Sequence, residues 1–114
     1  MPPVGPYTPI VRAGDFLFCS GQIGLTESGL SEVFSDQVKA AIANLAKLLD
    51  ETGASLGDVV KTTVFLSNMD NYSEMNTAYM EAFGDHRPAR SAIGVGALPL
   101  GALVEIEAIA YRPE

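Results

Sequence analysis

Arg90 lies in the run Pro88-Ala89-Arg90-Ser91, and fifteen residues later Glu105 lies in Val104-Glu105-Ile106-Glu107; both segments otherwise read as apolar β-strands. Strand interiors in a small domain usually hold Val and Ile. A guanidinium and a carboxylate placed there must face solvent, be paired, or be presented to a ligand. A guanidinium has five fixed donors and no accessible neutral form, which suits it to gripping a planar carboxylate and not to shuttling protons. From its surroundings alone, Arg90 is equally an anchor for an anion or the partner in a structural salt bridge. Glu105 and Glu107 stand two apart on one strand, hence on one face and roughly 7 Å apart. One of them can serve as a general acid/base through water if burial or a neighbour brings its proton affinity near working pH; otherwise they make an ordinary polar sheet face. A glycosidase pair fits poorly, because the two positions share a strand and no aromatic sugar platform accompanies them.

Tyr7, after Gly5-Pro6, and Ser20, before Gly21-Gln22-Ile23, place hydroxyls at the edges of a hairpin. Ser20 lacks the histidine partner that a nucleophile needs, and a lone tyrosine is more often a packed aromatic with a satisfied hydroxyl. Cys19 reads as a core hydrophobe. His86, in Gly84-Asp85-His86-Arg87-Pro88, reads as a surface-loop histidine, and the lack of second ligands argues against a metal. Gly94 and Gly96 have neither the spacing nor the following helix of a dinucleotide or phosphate loop, so no cofactor is implied.

These side chains need a scaffold. At 114 residues, with 47% apolar and 18% charged positions, the chain reads as one globular domain, 1–114, large enough to bury a core. Fourteen acidic against seven basic residues give a net charge of -7, which disfavours nucleic acid as a partner but leaves room for a small anion held by one local arginine. With Cys19 as the sole cysteine, neither an intrachain disulfide nor a multi-cysteine zinc cluster can form. The start, Met1-Pro2-Pro3-Val4-Gly5-Pro6, lacks the pattern of a secretory signal, and no run nears the ~18 apolar residues of a membrane span, so a soluble cytoplasmic protein is expected. On that expectation the glycosylation triplet Asn71-Tyr72-Ser73 carries no meaning.

Ile10 to Arg12 and Asp15 to Ser20 form a predicted hairpin across Ala13-Gly14. A polar, Gly-bearing stretch from Gly24 to Leu30 leads to Ser31, a predicted N-cap with Glu32 just inside the helix. Phe34, Val38, Ala41, Ile42, Leu45, Leu48 and Leu49 then draw one apolar stripe down a helix ending near Thr52-Gly53. Val59 to Ser67 reads as a strand. Asn68 or Asp70 caps a second helix with stripe Tyr72, Met75, Tyr79, Met80 and Phe83, stopped by Gly84. Arg90 to Val95 and Leu103 to Tyr111 complete an α+β sheet of five or six strands with two helices on one face. The last strand carries apolar groups on both faces, so the uncovered face calls for identical subunits as its cover.

Gly5-Pro6-Tyr7, Ser20-Gly21-Gln22-Ile23, Asn76-Thr77-Ala78-Tyr79, Pro88-Ala89-Arg90-Ser91 and Val104-Glu105-Ile106-Glu107-Ala108 together resemble the RidA/YjgF family, nearly end to end. The resemblance implies a chorismate-mutase-like α+β fold, a homotrimer with clefts between adjacent subunits, and cofactor-free hydrolysis of reactive 2-imino or 2-enamino acids to 2-oxo acids and ammonia. By motif position it implies that Arg90 binds the substrate carboxylate, that Glu105 holds the attacking water and protonates departing ammonia, and that Tyr7 adds a hydroxyl. Ser20 and Gly21 would line the cleft, and Ala92 would contribute its backbone. Ala92 stands where many members have Cys, and the loop from Phe83 to Arg90 is short and lacks an aromatic before Pro88. Two other functions stay open: a non-catalytic small-acid-binding or protein-interaction trimer, and, remotely, an endoribonuclease or translation inhibitor.

Overall fold

The computed structural model describes residues 5–114; the opening Met1-Pro2-Pro3-Val4 lies outside the described residues. Strands β1 (Ile10–Ala13), β2 (Phe16–Ile23), β5 (Val59–Leu66), β6 (Ala89–Gly94) and β7 (Val104–Tyr111) form one sheet in the order β1-β2-β7-β5-β6. Only β5 and β6 run parallel, joined through helix α2 (Tyr72–Phe83). The remaining neighbours are antiparallel. Helix α1 (Phe34–Glu51) and α2 cover one face, so the architecture is the predicted α+β arrangement.

Alternation of apolar positions explains the layering. Val104, Ile106, Ala108 and Ala110 of β7 are buried beneath the helices, as are Leu17 and Cys19 of β2 and Thr62, Val64 and Leu66 of β5. The α1 stripe of Phe34, Val38, Ala41, Ile42, Leu45 and Leu49 meets them, with Met75, Ala78, Tyr79 and Phe83 from α2. Burying side chains of this size contributes about 1.5–3 kcal/mol each before chain entropy is set against it. On the other face Val11, Phe16, Phe18, Ile93 and Tyr111 are each more than 40% exposed, an apolar surface without a covering layer among the described residues.

Several local expectations need correction. The first helix begins at Phe34 with Val33 at its N-cap, not at Ser31. Ser31 Oγ instead accepts from the Val33 amide at 3.0 Å and lies 3.4 Å from Asp36 Oδ2, so the hydroxyl stabilises a turn before the helix. Asn68 caps a short 3-10 turn by accepting from the Asp70 amide at 2.9 Å, and α2 follows with Asn71 at its N-cap. The stretch Gly24 to Leu30, read as a connection, contains a small second hairpin, β3 (Leu25–Thr26) and β4 (Gly29–Leu30). Met80 belongs to the second helical stripe by spacing but is exposed. His86 is half-buried: its Nε2 lies 2.7 Å from the Val59 carbonyl oxygen and ties the loop to β5.

Two polar side chains on α1 fix how the helix meets the sheet. Gln37 is buried; its Nε2 donates to the Ser31 carbonyl at 2.7 Å and its Oε1 accepts from the Leu103 amide at 3.0 Å. Asn44 donates to the carbonyls of Ile23 and Leu25, both at 3.0 Å. This close seating leaves no room for a methyl group at Gly24, where a Cβ would lie 2.7 Å from the Cα of Gln37. Backbone cannot yield cheaply, so Gly24→Ala is expected to destabilise the fold by about 1–3 kcal/mol, seen as a lower urea midpoint with an unchanged slope.

Candidate functional site

Strand register decides where the two candidate groups point. Thr62 of β5 pairs with Arg90 on one side and Ala108 on the other, so Arg90 shares the helix-covered face with both. Phe65 pairs with Ile93 and Glu105, which share the open face. Arg90 and Glu105 of one chain therefore stand on opposite faces of the sheet. Glu107 shares the open face with Glu105, as the spacing predicts.

Arg90 is held by aromatic and soft groups, not by an acid. Its guanidinium carbon lies 5.1 Å from the ring centroid of Tyr79 and 5.6 Å from that of Tyr72. Nη2 donates to the Tyr72 hydroxyl at 3.1 Å, and Nη1 lies 3.8 Å from Met75 Sδ. Tyr79 is itself locked: its hydroxyl and that of Thr62 are 2.8 Å apart, and its ring packs 4.7 Å from that of Phe83. Burial pushes the Tyr79 phenol up, with Thr62, Arg90 and Arg87 opposing. None of the ion pairs among the described residues includes Arg90. Ala92, two residues along on the same edge strand, offers backbone groups at the sheet margin.

Glu105 has the complementary deficit. Desolvation raises its proton affinity above the ordinary glutamate value of 4.5, Glu107 raises it further, and no favourable partner offsets them among the described residues. Its carboxylate rests against Gly21, where a Cβ would lie 2.8 Å from Cδ, so only glycine admits that rotamer. Gly21 lies within the irregularity of β2 between Cys19 and Gln22. Next to it, Ser20 Oγ donates to the Thr8 carbonyl at 2.7 Å and its amide donates to the Pro9 carbonyl at 2.8 Å. Those bonds anchor the segment carrying Tyr7, whose ring is exposed. The Ser20 hydroxyl is thus occupied in holding that segment.

The candidate residues form two groups. One contains Glu105 and Gly21 with the neighbouring Ser20 and the Tyr7 segment; the other contains Arg90 and Ala92. Tyr72 and Tyr79, with Thr62 behind Tyr79, surround Arg90 from spacings and strand positions that equally fit a packed core. A separate groove of about 410 Å³ between the helices is lined by Lys39, Ile42, Ala43, Leu56, Glu81 and Ala82, away from every candidate residue. The Lys39–Glu81 ion pair at 2.7 Å belongs to that groove and is solvent-facing. Among the described residues no cluster of three or more His, Cys, Asp or Glu could hold a metal, and no helix is long and apolar enough to cross a membrane.

Two helices on a mixed sheet, with this placement of Arg90 and Glu105, define the class of fold to which known proteins can be compared. Residues 1–112 match the Endoribonuclease L-PSP family. A RutC family protein of Pyrococcus abyssi is 43% identical over 113 residues, covering 96% of this chain and 89% of its own. A 2-iminobutanoate/2-iminopropanoate deaminase of Dermatophagoides farinae is 36% identical over 110 residues, covering 94% and 86%. The crystal structure of E. coli TdcF with bound serine superimposes with a TM-score of 0.90 at 31% identity, covering 96% of this chain and 91% of that one. The chain belongs to the Endoribonuclease L-PSP family, that of the RidA/YjgF proteins.

The support behind Arg90 can be measured directly. Thr62→Val leaves the Tyr79 hydroxyl buried without its partner and is expected to cost about 1–3 kcal/mol. Combining it with Tyr79→Phe is expected to cost less than the sum of the single changes, a coupling that a double-mutant cycle on urea midpoints reads out.

Proposed function

We propose that this protein hydrolyses reactive 2-imino and 2-enamino acids to 2-oxo acids and ammonia, in clefts built between the subunits of a homotrimer. The observation that carries this reading is, among the described residues, an arginine without an acid and a glutamate without a base, on opposite faces of one sheet whose open side is apolar. One chain cannot bring them to a single ligand. A neighbour seated on the open face can supply the second group while covering Val11, Phe16, Phe18, Ile93 and Tyr111. The deaminase name of the Dermatophagoides relative supports the chemistry, and the serine in TdcF supports a small amino- or oxo-acid as ligand.

In this mechanism Arg90 binds the carboxylate through charge-assisted hydrogen bonds and fixes the imine carbon. Glu105, ionised, takes a proton from water as its oxygen adds to the C=N carbon. That proton passes to nitrogen, and the carbinolamine then expels ammonia as its hydroxyl becomes the 2-oxo group. Tyr7 reaches the same cleft with its hydroxyl, Ser20 and Gly21 wall it, and the Ala92 backbone contacts the ligand. No cofactor or metal takes part, and a cytoplasmic location, without nucleic acid or membrane as partner, accompanies this role. The net charge of -7 disfavours the ribonuclease activity in the family's name.

A 2-imino acid generator run with semicarbazide tests the reading: the protein is expected to lower semicarbazone formation, and Arg90→Ala to lose about 10²-fold or more in kcat/KM. Equal clearance by Arg90→Ala and the unchanged protein rules the reading out. A protein that binds 2-oxo acids, with a raised melting temperature, yet clears no imine would be the small-acid-binding trimer instead. Inactive Arg90→Ala and Glu105→Ala chains, dissociated and reassembled together at equal amounts, are expected to recover activity at about one quarter of the clefts, whereas a cleft built within one chain recovers none. Because Glu105 acts as the ionised base, kcat/KM is expected to fall toward acid pH as its carboxyl, whose proton affinity desolvation and Glu107 raise within one chain, becomes protonated, and a pH–rate profile reads that limb.

A further inference from the structure

Arg90 does not face the ligand side alone. Its Nη2 is 3.1 Å from the hydroxyl of Tyr72 in the first turn of α2. A guanidinium has donors only, so the phenol oxygen must be the acceptor, and the phenol proton is not spent on Arg90. Among the described residues no other hydrogen bond involves that hydroxyl. The Tyr72 side chain is also accessible, at 40% exposure, whereas Tyr79, the other aromatic beside Arg90, is 3% exposed with its hydroxyl engaged by Thr62. The two tyrosines thus differ in kind: Tyr79 supports the guanidinium from the core, and Tyr72 presents an uncommitted O–H beside it.

We infer that Tyr72 is a ligand-binding residue that donates its phenol proton to the carboxylate gripped by Arg90, so that the pair selects carboxylic acids over their uncharged amides. This rests on the assignment of Arg90 as the carboxylate anchor. Accepting a hydrogen bond from a cation polarises the phenol and strengthens its own donation. Met75 Sδ, a weak acceptor 3.8 Å from Nη1, leaves the rest of the guanidinium's donor capacity for the acid. A carboxylate with two oxygens can take one bond from the guanidinium and one from the phenol. A carboxamide presents an NH₂ group in place of one oxygen, which meets a donor with a donor and loses that bond.

The test compares the unchanged protein, Tyr72→Phe and Arg90→Ala in NMR titrations with pyruvate and pyruvamide. Tyr72→Phe keeps the ring over Arg90 and removes only the hydroxyl. Expected are about tenfold weaker pyruvate binding and unaltered pyruvamide binding, with a melting temperature within about 2 °C of the unchanged protein. In the imine assay KM is expected to rise about tenfold while kcat falls by less than about threefold, a split that loss of packing alone would not produce. If Tyr72→Phe binds pyruvate as tightly as the unchanged protein while Arg90→Ala does not bind it, the Tyr72 assignment falls and the carboxylate anchor stands. If the unchanged protein binds no pyruvate, both fall. Should Tyr72→Phe prove unstable, a structure of the unchanged protein with pyruvate decides: a phenol oxygen beyond hydrogen-bond distance of the carboxylate overturns the proposal.

Discussion

Side chains along a β-strand alternate between faces, and that period of two governs everything else in this molecule. It buries Val104, Ile106, Ala108 and Ala110 of β7 beneath the helices while turning Glu105 and Glu107 outward. Carried across β5 to β6, it places Arg90 on the helix side. The alternation that builds the core therefore separates the two groups with the most chemical potential. Among the described residues each is left incomplete: Arg90 lies against two aromatic rings without an acid, and Glu105 sits desolvated beside a second carboxylate. A slip of one residue in either strand would return the charges to a common face and expose the core residues instead.

The precision of Arg90 comes from the interior outward. Thr62 is fully buried in the sheet and bonded to the Tyr79 hydroxyl; Tyr79 packs on Phe83 and sets one wall for the guanidinium. A polar pair in the core is a poor source of stability, because a neutral hydrogen bond contributes only about 1 kcal/mol net. Its effect here is orientational, since it holds an aromatic ring at a defined distance from a cation. On the other face glycine does comparable work by absence: a methyl at Gly21 would displace the Glu105 carboxylate.

Much of this was legible in the sequence because it depends on period and composition. The α1 stripe, the doubly apolar last strand and the charged residues inside strands all announce themselves within a few residues of chain. What stayed hidden depends on distant partners. Ser31 has the chemistry of a helix cap, yet its hydroxyl serves a turn because the helix starts three residues later. Gln37 carries no signal in the local pattern, and its burial follows from the distant Leu103 amide that it accepts from. His86 reads as a loop residue until the Val59 carbonyl comes into view. The faces of Arg90 and Glu105 relative to each other follow from the register of β6 and β7 on β5, a pairing that no local pattern marks. Tyr72 stands at a core spacing and is nonetheless accessible in the first turn of α2.

Cys19 is buried in the core, and burial pushes its thiol up to about 11. Thiols attack electrophiles as thiolates, so at neutral pH this one is both protonated and shielded from collision. With alanine at position 92, the edge strand β6 also carries no sulfur nucleophile. The sole thiol of the chain is therefore out of reach of electrophiles in the folded state, and only an opening of the core around β2 would present it to them.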